Sequence, residues 1–354
     1  MTATAPCLSA VPETLTATVS VIICTRNGWS RGFLDETLRS VLMQSLPASE
    51  ILLVDDASSD GTAAYVQHAY PQVTILQNTG TGLAAARNTG IAAARFAWVA
   101  FIDDDDVWHP EKLTQQLAQA NACATPDAVI WASQVATLNR RGGMPVPRAT
   151  PRQFATWPAC LLGSPIQPSS VLLSKNLLSR MGPFNEQIPE GAAYDYWIRC
   201  LSSGISIRYS TNPLLYYRQH HPQMTAAVRK LEHFLGIDAL VAPHLTRLAA
   251  AQADRIRLAR WLHNLRSLMA HSGVRAALRY CNTSVPRPAL SLGLGLGLRT
   301  IFYFLLDTLG CRSPHRIRHV LRQRAIRILI GADSPLPQTQ GEVSRHRSQE
   351  TLAD

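Results

Sequence analysis

Four consecutive carboxylates, Asp103, Asp104, Asp105 and Asp106, follow directly on the apolar run Phe96-Ala97-Trp98-Val99-Ala100-Phe101-Ile102. The run has the length and composition of a buried strand, so the acids emerge at its C-terminal end. That is the edge at which open α/β sheets bind ligands. Like charges this close repel one another, and burying each one unpaired costs on the order of several kcal/mol. A divalent cation would make the cluster favourable there. Hard cations take oxygen ligands, and Mg²⁺ or Mn²⁺ is commonly held by one or two carboxylates plus substrate phosphates. The local alternative is a solvated acidic turn that caps the next helix, a position where Asp is favoured. Other polar stretches could share in the chemistry: Thr25-Arg26-Asn27-Gly28, Asp55-Asp56-Ala57-Ser58-Ser59-Asp60-Gly61-Thr62 and Asn78-Thr79-Gly80-Thr81-Gly82. Further along lie Tyr194-Asp195-Tyr196-Trp197-Ile198-Arg199 and Tyr216-Tyr217-Arg218-Gln219-His220-His221.

The first three of these stretches each follow a short apolar run. Residues 19–24, 51–54, 73–76 and 96–102 read as strands. Between them, Leu34, Leu38, Val41 and Leu42 recur at helical spacing before Pro47, a second helix carries Tyr65 and Val66, and residues 84–94 are Ala-rich. Strand and helix alternate four times with short links. This predicts an α/β fold with a mostly parallel sheet and helices on both faces, the polar turns converging on one edge to build a cleft. Downstream, the pattern predicts a helix over 110–120, a strand over 128–132, a loop over 140–151, a strand over 169–173, a helix from 191 and a short strand within 209–225.

The chain has 354 residues, 46% of them hydrophobic, enough for one large domain or two of ordinary size. A net charge of +10 favours anionic partners. Its seven cysteines are scattered without metal-ligand spacing, which points to reduced thiols in a cytosolic setting. Residues 1–18 are a flexible lead-in without the pattern of a signal peptide. From about 228 to 332 the chain turns helical and basic. The apolar stretch 289–306 carries three glycines and Arg299 and falls short of the ~20 residues that span a bilayer. It reads as a buried helix pair or an interfacial segment. Ile317, Val320, Leu321, Ala325, Ile328 and Leu329 lie on one helical face, with Arg316, Arg318, Arg322 and Arg327 mostly on the other. Such a helix suits an anionic membrane surface or packing on the catalytic domain. Residues 333–354 read as a disordered tail.

Four blocks now resemble the family 2 inverting glycosyltransferases: residues 19–27, residues 51–62, Gly82-Leu83-Ala84-Ala85-Ala86-Arg87-Asn88-Thr89-Gly90, and residues 101–113 with their acid run and Trp108-His109-Pro110. Their order and spacing match over about 19–225, leaving the C-terminal third uncovered. The resemblance implies a Rossmann-like nucleotide-diphospho-sugar transferase domain over 19–227, with a nucleotide-sugar half at 19–113 and an acceptor half at 114–227. It implies that Asp55 or Asp56 accepts hydrogen bonds from the base or ribose, and that Thr25, Arg26 and Asn27 line the base pocket. Arg87 would reach the diphosphate, and Asn88 next to it would belong to the nucleotide-sugar site. Asp103 or Asp104 would contact the ribose. Asp105, with Asp103 and His220, would hold the Mn²⁺ or Mg²⁺ cofactor that neutralises the leaving nucleotide.

The resemblance also implies a Glu-Asp pair just before the 194–199 segment, its Asp the general base. Here those positions are Ala192 and Ala193. Inverting transfer still needs a group within reach of the acceptor hydroxyl. Asp195 and Glu190 are the replacements, Asp195 preferred because Glu190 sits in the Ile188-Pro189-Glu190-Gly191 turn. Asp195 has its own plain alternative, an i,i+4 pair with Arg199. The implied partners are a nucleotide-diphospho-sugar, a glycan or lipid-linked acceptor of cell-surface polysaccharide or glycolipid synthesis, and the inner membrane face as a peripheral contact, with no nucleic acid. Three other readings compete. The two alanines suit a non-catalytic sugar-nucleotide binder. Gly80-Thr81-Gly82-Leu83-Ala84-Ala85, with Asp103 about 20 residues on, fits the fingerprint of an NAD-dependent oxidoreductase. Nucleotidyl transfer would want a Gly-rich loop after the first strand, where Cys24-Thr25-Arg26-Asn27 stands instead.

Overall fold

The computed structural model describes residues 18–139, 144–220 and 231–280, apart from 273, 274 and 278. The expectations for the lead-in, the 289–306 stretch, the basic helix after it and the tail lie outside the described residues.

Each predicted strand of the first half forms, and the reason is visible in its burial. In β1 (Val19–Thr25), Val19, Val21 and Ile23 face one core while Ile22 and Cys24 face the other. A strand covered on both faces has no polar side to show, so it reads as an unbroken apolar run. The short helix α1 (Gly28–Arg31) and α2 (Leu34–Leu42) follow, then β2 (Glu50–Asp55), α3 (Thr62–Ala69), β3 (Thr74–Gln77), α4 (Gly82–Ala93) and β4 (Trp98–Asp103). Leu34, Leu38 and Val41 of α2 join Val66 of α3 in one core layer, and Ala84 and Ala86 of α4 lie in the opposite layer.

The chain continues through β5 (Val107–Trp108), α5 (Lys112–Asn121), β6 (Val129–Asn139), β7 (Val146–Pro147), β8 (Val171–Ser174), α6 (Lys175–Met181), α7 (Ala192–Ser202) and β9 (Ser206–Gln219). The sheet runs β3-β2-β1-β4-β8-β6-β9-β5, with β7 on β6. The strands β3, β2, β1 and β4 are all parallel, and β8 joins β4 antiparallel. Beyond that, β9 runs parallel to β6 and antiparallel to β5.

Three details differ from the sequence reading. The strand β6 runs past Ala132 to Asn139 and β9 covers 14 residues. The polar residues inside them hid their length. Gln134 is satisfied across the pair, its amide NH₂ donating to the Ser210 and Thr211 carbonyls, at a register shift near Ala132 and Gln134. Within the region expected as loop, β7 pairs with β6.

Two more helices are described, α8 (Leu231–Leu245) and α9 (Ala250–His271). Val241 and Leu245 of α8 and Ile256 of α9 share a core with Tyr194, Ile198 and Leu201 of α7. Arg260 of α9 donates to the Leu161 carbonyl and pairs with Asp238 of α8. Cys24, Cys123, Cys160 and Cys200 are free thiols. Among the described residues, no helix is long and apolar enough to cross a membrane.

Candidate active site

Register brings the strand-end turns together. Thr25 pairs with Asp55, Cys24 with Asp103, and Asp55 with Gln77, so β1, β2, β3 and β4 end at one level. The acid run begins there as a tight turn, closed by a hydrogen bond from the Asp106 amide to the Asp103 carbonyl at 3.1 Å.

Within that turn the four carboxylates go to four different places. Asp103 Oδ1 accepts from Nη2 of the buried Arg87 at 3.0 Å, and its backbone amide donates to Ser169 Oγ at 3.0 Å. Asp104 points inward, 5% exposed, and accepts from Thr25 Oγ1 at 2.5 Å and from Arg31. Burial pushes its carboxyl up to about 7 against the opposing pull of Arg31 and Thr25. Asp105 Oδ2 lies 2.9 Å from His220 Nε2, and its carbonyl accepts from Arg218 Nε at 2.9 Å. Asp106 is buried and accepts from the Arg218 amide at 3.1 Å and from the Ser169 hydroxyl. Burial holds its carboxyl well above the usual range, with the neighbouring Asp105 and Asp103 charges adding to the effect. Each of the four carboxylates thus has a partner of its own.

The neighbouring turns are laced to one another. Asp55 Oδ1 accepts from the Ser58 amide at 3.1 Å and from its hydroxyl. Asn27, in the left-handed region at φ 54°, accepts on Oδ1 from the Ser59 amide at 2.8 Å. Asp56 accepts from Asn78 Nδ2 at 2.6 Å and from the Gly82 amide at 3.0 Å, with Arg26 Nη1 3.9 Å away. The Gly82 amide, which the dinucleotide fingerprint would turn to a pyrophosphate, therefore already serves a protein carboxylate. A Cβ on Gly28 would sit 2.3 Å from Thr25 Oγ1 and 2.9 Å from Asp104 Oδ2, so only glycine lets this loop close over Asp104. Asn88 faces the other way. Its Nδ2 donates to the Phe184 carbonyl at 2.9 Å and to Glu186 Oε1 at 2.7 Å, tying α4 to the turn before α7.

On the acceptor side, Ala192 and Ala193 open α7 behind Gly191, whose φ is 91°. Asp195 Oδ2 accepts from Arg199 Nε at 2.9 Å, and Oδ1 is 4.0 Å from His244 Nε2. Arg199 also donates to the Met181 and Pro183 carbonyls at 2.8 Å and lies over the Tyr196 ring. The Glu190 side chain is 44% exposed, and its Oε2 lies 2.8 Å from Nδ1 of His233 on α8.

The sequence reading thus finds Thr25, Arg87, Asp103, Asp104, Asp105 and His220 along one edge, with Arg26, Asp55 and Asp56 in the turns beside it and Asn27 and Asn88 committed to holding loops. It missed Arg31, Ser169 and His233, which no local pattern marked. Arg218 stood beside His220 in a noted stretch without an assigned role. Among the described residues no three His, Cys, Asp or Glu side chains gather as a ready-made metal cluster. Asp105 and His220 are nevertheless adjacent oxygen and nitrogen donors. That pair fits a cation that takes the rest of its shell from a diphosphate and water. Asp103 is engaged with Arg87 instead.

Comparison with known proteins agrees with this picture. Residues 20–166 match the family described as "Glycosyl transferase family 2". TuaG of Bacillus subtilis, assigned as a glycosyltransferase of teichuronic acid biosynthesis, is 38% identical over 104 residues, 28% of this chain and 40% of its own length, so the chain spans less than half of that relative. WfaP of Escherichia coli, a UDP-Glc:α-D-GlcNAc-diphosphoundecaprenol β-1,3-glucosyltransferase, is 26% identical over 222 residues, 59% of this chain and 80% of its own. The crystal structure of S. aureus TarS 1-349 in complex with UDP-GlcNAc superposes with a TM-score of 0.54 at 18% identity, covering 89% of this chain and 90% of that one. This last likeness is one of fold.

Proposed function

We propose that this chain is a family 2 glycosyltransferase that moves a sugar from a nucleotide-diphospho-sugar to an acceptor hydroxyl by a single inverting displacement with a divalent cation. One observation carries the reading: the strand register that sets Thr25, Asp55 and the acid turn on one edge, with Arg87 and His220 bonded to that turn. Asp55 and Asp56 would receive the base or ribose, with Arg26 beside them, 3.9 Å from Asp56 and its side chain 63% exposed. Arg87 offers an always-charged guanidinium beside Asp103, suited to diphosphate oxygens. Asp105 and His220 would hold the Mn²⁺ or Mg²⁺, which when bound neutralises charge on the leaving nucleotide. The acceptor would then be received on the α7 side, in the half that the resemblance gives to it.

A proton must leave the acceptor hydroxyl there. We place this step at the Glu190 turn and not at Asp195, because Asp195 spends one oxygen on Arg199 inside a helix turn while the Glu190 side chain is 44% exposed. UDP-sugars are the first donors to try, since UDP-Glc and UDP-GlcNAc stand in the names of WfaP and the TarS complex. A lipid-diphosphate-linked glycan of cell-surface polysaccharide synthesis is the acceptor class, reached at an anionic membrane surface that the net charge of +10 favours.

The test is a thermal-shift screen of nucleotide sugars with and without Mn²⁺. A ligand at 100 times its Kd adds about 2.7 kcal/mol of stability. One sugar nucleotide should raise Tm in a cation-dependent way and release nucleotide when acceptor is added. A flat screen would sink the reading. Binding with no release under any acceptor would favour the non-catalytic binder that Ala192 and Ala193 suit.

A further inference from the structure

The two carboxylates that flank Ala192 and Ala193, Glu190 and Asp195, share a feature that no local pattern marks. Each is met by a histidine from one face of one helix. His233 and His244 of α8 stand eleven positions apart, with Ile237, Leu240 and Val241 between them at helical spacing. That face lies on the start of α7. A Cβ on Gly191 would come within 2.7 Å of Ile237 and 3.5 Å of Leu240. The two pairs are unlike. Asp195 and His244 are 4.0 Å apart with Arg199 holding the other carboxylate oxygen. Glu190 and His233 are in hydrogen-bond contact at 2.8 Å, through Nδ1, which leaves Nε2 on the opposite side of the ring.

We propose that Glu190 and His233 form a carboxylate–imidazole dyad in which His233 Nε2 takes the proton of the acceptor hydroxyl and Glu190 is its positioning residue. A carboxylate that accepts from Nδ1–H selects the tautomer whose Nε2 carries no proton and stabilises the imidazolium once it forms. The 184–190 turn is tied to the donor half, since Asn88 bonds Phe184 and Glu186 and Arg87 lies 5.8 Å over the Phe184 ring. In the step, the O–H proton passes to Nε2 and the oxygen pair forms the bond to the anomeric carbon. The bond from that carbon to the phosphate oxygen breaks, its electron pair leaving with the nucleoside diphosphate. The proton acceptor would then come from outside the matched residues 20–166, on a helix that the rest of the domain recruits.

This proposal rests on the transfer reading, and the experiment separates the two. Nucleotide release from UDP-glucose, UDP-N-acetylglucosamine and the other sugar nucleotides is measured with Mn²⁺, alongside Tm and donor binding. His233→Ala should lower kcat by roughly 10²–10⁴ with donor binding unchanged, and added imidazole should restore part of it. His233→Asn keeps a donor toward Glu190 but has no second ring nitrogen, so it should fold like the parent and be as slow. Glu190→Ala should lower kcat with the donor KM unmoved. Parent-like turnover in His233→Ala or His233→Asn overturns the dyad alone, as does a loss confined to His244→Ala. A parent protein that releases no nucleotide from any sugar nucleotide overturns the transfer reading and the dyad with it.

Discussion

The donor edge and the acceptor side of this protein are assembled in opposite ways. On the donor edge, the acids sit at the ends of parallel strands, and the register of β1, β2, β3 and β4 brings those ends to one level. Asp103 meets Arg87, and Asp104 meets Thr25 and Arg31. The acceptor side is put together from pieces remote in sequence: the turn ending at Gly191, the start of α7, and α8 some forty residues beyond it, whose apolar face and two histidines arrive together. The lesson is that local motifs mark the edge of a site built on neighbouring strands, but not a site built on a helix–helix contact.

The comparison breaks most sharply at Asp105. Asp105→Asn should abolish cation-dependent donor binding and lower turnover by at least ~10²-fold, since charge stabilisation of this kind is commonly worth 10²–10³. Calorimetry with and without Mn²⁺ checks it, and parent-like binding and turnover would remove the metal role. The opposite region is probed by Gly191→Ala. Its φ of 91° and the 2.7 Å approach to Ile237 predict a loss of about 2–3 kcal/mol, read as a lower denaturation midpoint, with donor binding intact. Loss of donor binding in that variant would mean the two regions are not separate.

Asp195→Asn is the next smaller effect. It removes a half-sheltered ion pair with Arg199, so a loss of about 1–2 kcal/mol in stability is expected with turnover within ~10-fold of the parent. A fall of 10³ in kcat at unchanged stability would make Asp195 the proton acceptor after all. The smallest effect lies beneath the donor edge. Lys112 is fully buried against Trp108, whose indole donates to the Ser169 carbonyl at 2.8 Å, and burial alone holds its ammonium pKa well below 10.5. Between that depressed value and 10.5 the unfolded chain binds more protons than the native one, so Lys112 makes stability rise with pH. Lys112→Met should remove this rise, with a net change of about 1 kcal/mol or less at pH 7. Chemical denaturation of parent and variant from about pH 7 to 10 checks it, and parallel curves would refute the assignment.

How much of this was legible in the sequence depended on distance along the chain. The parallel half of the sheet announced itself, because strands buried on both faces leave unbroken apolar runs. The acid run was recognisable as chemistry, but its partners Arg31, Ser169 and Arg218 were not, since they lie 66 to 113 residues away or in a turn with no pattern of its own. The inner stretches of β6 and β9 were hidden because Gln134 of the one is satisfied by Ser210 of the other.

By itself, then, the sequence determined that four strands would end together in polar turns and that Asp103, Asp104, Asp105 and Asp106 would stand at that edge. Backbone hydrogen bonding between parallel strands leaves those turns nowhere else to go. Only the tertiary structure decided what each of the four acids does. A carboxylate is a ligand, a buried acid or a salt-bridge partner according to which side chain faces it, and those side chains come from other elements. It alone also decided that α8 closes over the start of α7, because an apolar helix face specifies that it must be covered and not by what.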